Sequence, residues 1–445
     1  MAGARNLVIG LGQTGVSCVR WLRARGEPVA AADSRAAPPG LAALAALDAD
    51  AARRVRVHLG GFDLALLDSA DRLVLSPGVS RSEPLVQAAL ARGLPVVGDI
   101  ELFASAKRAP VVAITGTNGK STVTTLVAAM ARAAGCRVLA GGNLGTPALD
   151  LLAEPDPELY VLELSSFQLE STSSLELLAA AILNLSPDHL DRYASVAEYA
   201  AAKARIYAHA ATAIVNLDDP RVATLPRRGQ SRVGFSLTRA DADWSLQPGA
   251  GGPALARAGE PLLPLTELRL PGRHNAANAL AALAVGAQAG LPLAPMLATL
   301  RSFAGLPHRT QWIADRGGVR YVDDSKGTNV GATLAAVAGL DGPLVLIAGG
   351  DGKGQDFAPL AAACRGKLRH AVLLGRDREA LAQVLEGVCS TEFAADMDAA
   401  VAAAARAAQP GDLVLLSPAC ASLDMFRDYT ERGAAFAAAT RRLAG

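Results

Sequence analysis

Short aliphatic runs alternate with alanine-rich stretches along almost the whole chain. The apolar runs are Leu7–Gly10, Val29–Ala32, Leu73–Ser76, Val111–Thr115, Tyr160–Leu164, Ile182–Leu185, Leu344–Ala348, Val372–Leu374 and Leu413–Leu416. Brief runs of this kind bounded by turn formers predict strands, and the alanine-rich stretches between them predict helices. Their alternation predicts an α/β protein with largely parallel sheets. The rhythm breaks twice. Between Pro95 and Pro110 one αβ unit ends and a new strand begins, and between Phe303 and His308 a helical stretch gives way to a Gly/Pro connection. The expected domains are therefore 1–98, 99–304 and 305–445, in line with 445 residues at ~150 per domain. Residues 228–266, rich in Gly and Pro, predict a loop with a small β insertion.

Composition narrows the class. Lys plus Arg is 43 and Asp plus Glu is 42, a net charge of +1, which offers no basic face for a nucleic acid. Aromatic residues are 4%, too few for base-stacking platforms. The longest uncharged stretch, Asn275–Leu300, carries Asn275, Asn278, Gln288, Pro292 and Pro295, and predicts a buried helix plus a turn, not a membrane span. Leu7-Val8-Ile9 is too short for a signal-peptide core. Five widely spaced cysteines without a CxxC fit a reduced cytoplasmic compartment.

Three glycine-rich loops follow predicted strands. Gly10-Leu11-Gly12-Gln13-Thr14-Gly15 opens a helix and is trailed by Asp33 after a second strand, the context of a dinucleotide fingerprint. Its physics says only that a phosphate-bearing ligand can sit on helix N-terminal amides; a tight turn with nothing bound is the alternative. The second, Thr115-Gly116-Thr117-Asn118-Gly119-Lys120-Ser121-Thr122, is a shortened phosphate loop with Ile114 where a strict Walker A has glycine. Small residues let amides face phosphates, Lys120 can reach β/γ oxygens, and Ser121 or Thr122 can bind Mg²⁺. The predicted helix is Ser121–Ala134. The third, Gly349-Gly350-Asp351-Gly352-Lys353-Gly354, has no Ser or Thr after its lysine and is not a second nucleotide loop; Lys353 can hold a carboxylate or stand in solvent.

Charged residues within apolar context add candidates. Glu163 ends an apolar strand, where a carboxylate needs either a hard cation or an ion-pair partner. Asp188 and His189 sit in a loop after another strand, with Asp191 or Ser195 available to cap the next helix, expected over Val196–Ala210. His189 suits a metal or a proton. Lys203 on that helix is the only lysine between Lys120 and Lys326; by composition it reads as a snorkelling surface lysine.

Together these motifs resemble the Mur ligase family, and its glutamate-adding branch in particular. The resemblance runs through GLGQTG (10–15), SPGV (76–79), GDIELF (98–103), TGTNGKST (115–122), GGNLG (141–145), ELSSFQLE (163–170), DHLDRY (188–193), AAKARIY (201–207), GRHNAANALAA (272–282), HR (308–309), DDSKGTN (323–329), GGDGK (349–353) and SPACASLDMF (417–426). It implies a Rossmann-like UDP-sugar domain, a central P-loop ATPase domain and a Rossmann-like C-terminal domain for glutamate. It places Gly12, Gln13, Thr14, Asp33, Ser34 and Gly78 near uridine diphosphate, and Asn143 at the substrate and its phosphates. Gly116 to Thr122 carry over to ATP phosphates, with Asn275 and Asn278 at adenine and Arg309 and Asp324 clamping ATP from the third domain. Ser121, Glu163, His189 and Lys203 carry over as the Mg²⁺ side, with Lys203 as a carbamate. Thr328, Lys353, Ser422 and Tyr429 carry over to the glutamate carboxylates, although the family usually has phenylalanine where Tyr429 stands.

The resemblance implies an ATP-dependent amide ligase of peptidoglycan precursor synthesis, cytoplasmic and monomeric, acting through an acyl phosphate. Lys120, Lys203, His189 and Asp188 are the expected catalytic groups, with His189 and Asp188 both open as the amine's proton acceptor. The enantiomer of glutamate stays open. An NAD-dependent oxidoreductase rests on GLGQTG plus Asp33 but leaves TGTNGKST unexplained. A P-loop switch ATPase leaves the glutamate motifs idle.

Overall fold

The computed structural model describes residues 5–47, 55–190, 192–249, 251–270, 272–340 and 342–443. Three sheets follow one another along the chain. The first contains β1 (Asn6–Ile9), β2 (Val29–Asp33), β3 (Arg56–Leu59), β4 (Arg72–Leu75) and β5 (Val96–Gly98), all parallel, in the order β3-β2-β1-β4-β5. The order reverses between β1 and β4, so a crevice opens at their C-terminal ends. The helix Gln13–Ala24 leaves that crevice and packs tightly on β1: any side chain at Gly15 would run into the Gly10 carbonyl.

The second sheet has nine strands: β6 (Val111–Thr115), β7 (Val138–Gly142), β8 (Leu159–Glu163), β9 (Leu177–Ile182), β10 (Ala210–Asn216), β11 (Ser231–Ser236), β12 (Trp244–Gly249), β13 (Gly252–Arg257) and β14 (Glu260–Pro264). Their order is β14-β13-β12-β11-β10-β9-β6-β8-β7, which puts β6 and its glycine loop between β9 and β8. Every residue of β6 and β8 is buried, because helices cover both faces. The first two sheets share a core: one apolar cluster includes Val8 and Leu11 as well as Ala113, Tyr160 and Ile182.

The third sheet contains β15 (Gln311–Arg316), β16 (Val319–Asp323), β17 (Leu344–Gly349), β18 (Leu368–Leu374), β19 (Ser390–Phe393) and β20 (Leu413–Leu416), in the order β15-β16-β20-β17-β18-β19. Only the β15–β16 pair is antiparallel. Helices cover both faces here too, with separate apolar clusters on either side.

Several predicted elements shift. The strand expected over Ile182–Leu185 runs over Leu177–Ile182. Its three alanines read as helix, but they sit at the centre of a sheet packed on both faces, where small side chains let helices approach. The helix expected over Val196–Ala210 is Val196–Ala204, then a 3₁₀ turn at Arg205–Tyr207 and the start of β10 at Ala210. Arg205 binds the Leu169 and Thr172 carbonyls, and the Tyr207 hydroxyl donates to the Ile214 carbonyl, which ends the α-helix early. Ser195 caps it by accepting from the Glu198 N–H; Asp191 lies outside the described residues. Residues 228–266 hold the expected β structure, but as part of the central sheet: β11 joins it in parallel and β12–β14 extend it. Asn275–Leu300 spans two helices, Arg273–Gln288 and Leu293–Ser302, and no helix among the described residues is long and apolar enough to cross a membrane.

Candidate active site

The phosphate loop leaves β6 and turns into the helix Lys120–Ala133 at Gly119, whose φ of 84° lies in the left-handed region and suits glycine. A side chain there would also strike the Asn278 amide. The loop is held from the far side: the Asn118 N–H donates to Asn184 Oδ1 at 2.8 Å, and the Thr117 N–H donates to the Asn184 carbonyl at 3.0 Å. The amides that begin the helix carry its positive end toward the space above the sheet.

Two cavities meet at this loop. One, of about 310 Å³, lies between the second and third domains. Asn118, Gly119 and Thr122 form one wall, Asn275 and Asn278 a second, and Arg309 and Asp324 a third. Asn278 donates to Asn275 Oδ1 at 3.2 Å. Asp324 is buried, and desolvation pushes its carboxyl up to about 7 although Ser417 and the Thr310 N–H hydrogen-bond it.

The other cavity, of about 270 Å³, is lined by Lys120, Ser121, Asn143, Glu163, Asp188, His189, Lys203, Thr328 and Lys353, with Arg309 and Lys326 at the passage between the two. Five cationic side chains, Lys120, Lys203, Arg309, Lys326 and Lys353, face two carboxylates, Glu163 and Asp188. That balance suits a polyanion. Desolvation lowers the pKa of Lys120, and the Lys120 ammonium donates to the Thr117 carbonyl at 2.8 Å. Asp188 is 7% exposed; burial works against its ionisation, but Lys353 and His189 hold it below its ordinary range. Lys353 meets Asp188 at 3.2 Å across the domain boundary. Arg309 spans the same boundary, donating to Ser121 Oγ at 2.6 Å.

Lys203 is 2% exposed, the reverse of the surface lysine that composition favours. Desolvation and the neighbouring Lys120 push its pKa well below normal. Its ammonium touches Thr115 Oγ1 at 3.4 Å and lies 4.6 Å from the Tyr199 ring centroid, with no ion-pair partner among the described residues. Glu163 Oε1 accepts from Asn143 at 2.6 Å, while its Oε2 is buried with no hydrogen-bond partner. An orphaned carboxylate oxygen is what a hard cation would complete. Among the described residues no group of three His, Cys, Asp or Glu lies close enough to hold an ion by itself.

A third cavity, of about 440 Å³, opens at the β1/β4 crevice. Gly12, Gln13, Thr14, Asp33, Ser34 and Gly78 all line it. Arg35, aided by the Leu11 N–H, overcomes burial to hold Asp33 down to about 2, which also ties the glycine loop to β2. Asn143 is not in this group; it belongs to the cavity of Lys120. Ser422 is buried and lines none of the three cavities, and Tyr429 stands behind Lys326, whose ammonium is 3.9 Å from its ring centroid. Ser422 sits in a loop of the third domain and Tyr429 opens its last helix, Tyr429–Arg442.

Residues with no role in the sequence reading also converge here. Lys326, lowered to about 8 by desolvation, faces both central cavities. Asn329 joins Asn118 and Asp188 across the domain boundary, and the Tyr199 hydroxyl meets Thr117 Oγ1. Lys326 and Asn329 both lie in the DDSKGTN motif quoted above, and the scarcity of lysine over 120–326 was a further signal for Lys326.

Family comparison agrees with this layout. Residues 4–98 match the Mur ligase MurD-like N-terminal domain, 114–286 the Mur ligase middle domain, and 308–420 the Mur ligase glutamate ligase domain. The chain is 54% identical to the UDP-N-acetylmuramoylalanine–D-glutamate ligase of Nitrosococcus oceani, over 99% of this chain and 97% of that protein. It is 52% identical to the protein of the same name from Pseudomonas savastanoi, over 98% of each. Two solved structures share the fold at low identity. UDP-N-acetylmuramate-alanine ligase MurC of Thermotoga maritima has a TM-score of 0.59 at 18% identity, covering 98% of this chain and 99% of its own. MurF of Acinetobacter baumannii has 0.60 at 17%, covering 99% and 92%. With three family domains in order and full-length relatives above half identity, the chain belongs to the Mur ligase family.

Proposed function

We propose that this protein is an ATP-dependent ligase that joins D-glutamate to UDP-N-acetylmuramoyl-L-alanine in peptidoglycan precursor synthesis. The observation that carries the reading is the cavity in which Lys120, Arg309, Lys326 and Lys353 face Glu163 and Asp188 under a phosphate loop and between two domains. The choice of D-glutamate over its enantiomer draws support from the names of the relatives. The domains are taken as 1–98, 99–304 and 305–445. We take the protein to act as a monomer, and the substrates and the free thiols fit the cytoplasm.

The chemical problem is that a carboxylate is a poor electrophile. In the proposed reaction a carboxylate oxygen of the alanyl group attacks the γ-phosphorus, the bond to ADP breaks, and an acyl phosphate forms. The glutamate amine then attacks the acyl carbon, loses a proton, and phosphate leaves. Gly116, Thr117, Asn118, Gly119 and Thr122 cradle the triphosphate, and Lys120 offsets charge on its β/γ oxygens. Asn275 and Asn278 face adenine, Asp324 the ribose, and Arg309 the phosphates. Asn143 orients the alanyl carboxylate. Asp188, paired with the Lys353 ammonium, and His189 beside it are the two candidates to accept the amine proton. Thr328 and Lys353 receive the glutamate carboxylates, with Ser422 and Tyr429 supporting that wall.

Ser121, Glu163 and His189, with Lys203 as a carbamate, would hold Mg²⁺. When bound, the ion supplies positive charge that screens the substrate carboxylate from the phosphates. Lys203 becomes anionic when its neutral amine adds to CO₂, forming an N–C bond and releasing one proton; burial beside Lys120 favours that neutral amine. The reading is tested by phosphate release with ATP and UDP-N-acetylmuramoyl-L-alanine, comparing D-glutamate, L-glutamate, meso-diaminopimelate and no amino acid. Release with D-glutamate alone is expected; equal release without an amino acid would identify a simple ATPase.

A further inference from the structure

One side chain bridges the first-domain cavity and the catalytic cavity. Arg192 follows Asp188 and His189 by a few residues, yet its guanidinium reaches into the first domain. Nη1 donates to the Pro77 carbonyl at 2.8 Å and Nη2 to the Val79 carbonyl at 3.3 Å. Pro77 and Val79 line the crevice at β1 and β4. Nη2 also meets Glu170 Oε2 at 2.9 Å, and Glu170 Oε1 accepts from the Tyr193 hydroxyl. The other face of the bridge is aromatic. The guanidinium carbon lies 3.9 Å from the centroid of Phe167, a residue that lines the catalytic cavity and stands edge-on to His189 at 4.9 Å.

The geometry is that of a device for fixing position. The Arg192 side chain is 12% exposed and that of Glu170 14%, so the pair is largely shielded from water and salt. A planar fork that contacts two carbonyls and a carboxylate while stacking on a ring cannot be reproduced by an ammonium. At the receiving end, His189 has φ 54°, a left-handed conformation that a non-glycine residue keeps only when its surroundings hold it. At the sending end, Pro77 to Val79 form a short turn, closed by the Val79 N–H on the Ser76 carbonyl. A ligand that settles this turn also settles Arg192, and through it Phe167 and His189.

We propose that Arg192 is a positioning residue that couples the two cavities: occupancy of the first-domain cavity by the diphosphate end of the substrate orders the loop carrying Asp188 and His189. The inference rests on the proposed function together with the expectation, implied by the family resemblance, that the first-domain cavity takes uridine diphosphate. In consequence, the far end of the substrate contributes to aligning its reacting carboxylate, a use of remote binding energy at the site of chemistry.

The test is amide hydrogen exchange of the full chain with and without UDP, which fills only the first cavity, paired with kinetics. In the unaltered protein UDP is expected to slow exchange at both 76–79 and 186–190. In Arg192→Ala it should slow 76–79 only, while the KM for UDP-N-acetylmuramoyl-L-alanine rises and kcat falls, each about tenfold, with the ATP KM within about twofold. Arg192→Lys should fall between the two. Glu170→Gln, which leaves the arginine in place, must shift the same segment in the same direction. If UDP slows both segments in Arg192→Ala as it does in the unaltered protein, or if the KM values for both substrates rise together, the coupling role is wrong. If UDP slows neither segment in the unaltered protein, the uridine reading of the first cavity fails and takes the inference with it.

Discussion

An ammonium at 2% exposure beside a second ammonium is costly, and Lys203 bears that cost without an ion-pair partner among the described residues. A carbamate resolves the conflict, since it replaces the positive charge with oxygen donors. Lys203→Ala is therefore expected to lose nearly all ligation and to regain part of it when formate or acetate is added, measured as product formation. A fully active variant would return Lys203 to packing alone. The task proposed for Lys120 is different, to offset the charge that builds up during phosphoryl transfer. Lys120→Ala should lower kcat by ~10²–10³ while leaving the melting temperature nearly unchanged, because one preorganised contact is removed and no core is disturbed. The two lysines also differ in how far the chain alone reveals them. Lys120 is legible from its loop, because only small residues and a lysine at that spacing cradle phosphates. Lys203 has no such local grammar. Its burial is decided by where Thr115 and Tyr199 fall in three dimensions; its isolation among arginines drew notice to it, and only the family resemblance gave it a role.

Short elements at the first domain's exit are expected to make stability depend on pH. Gly98 leads into the helix Asp99–Ala104, and Asp99 accepts from Gln168 of the helix Ser166–Glu170 at 2.9 Å. Its other oxygen has no partner, and burial pushes the carboxyl up to about 6. Because the folded pKa lies above the unfolded one, near 3.8, the native state binds more protons between the two. This contribution to stability is complete below about pH 4 and is lost as pH rises through about 6. Asp99→Asn is expected to flatten that decline, gaining on the order of 2 kcal/mol relative to wild type at pH 8 in denaturant titrations. An identical pH slope in the two proteins would show that Asp99 is ionised without cost. At this scale the pattern of apolar runs marks the central strands well, with β6 and β20 at their expected ends. It misplaces β9 and cuts across the turn before β10, since alanine serves a two-sided sheet and a helix equally well.

Across the whole molecule, the third domain meets the phosphate loop and its neighbours through a few polar contacts: Arg309 on Ser121, Lys353 on Asp188, and Asn329 on Asn118. These are contacts that a moving domain can make and break, whereas the first domain shares an apolar core with the second. Lys353→Ala should raise the KM for glutamate more than that for ATP in steady-state assays. Equal increases would assign Lys353 to domain closure and not to the amino acid. The order of three α/β units is legible in the chain because glycine loops and connections punctuate it. The meeting of Lys326, Asn329 and Asp188 is not, since it depends on how two separately folded sheets face each other. The central claim is that the alanyl carboxylate is activated by phosphoryl transfer before the amine attacks. Labelling both oxygens of that carboxylate with ¹⁸O and analysing the released phosphate by mass spectrometry tests it directly. One labelled oxygen in each phosphate is the predicted result, and unlabelled phosphate formed alongside ligated product would contradict it.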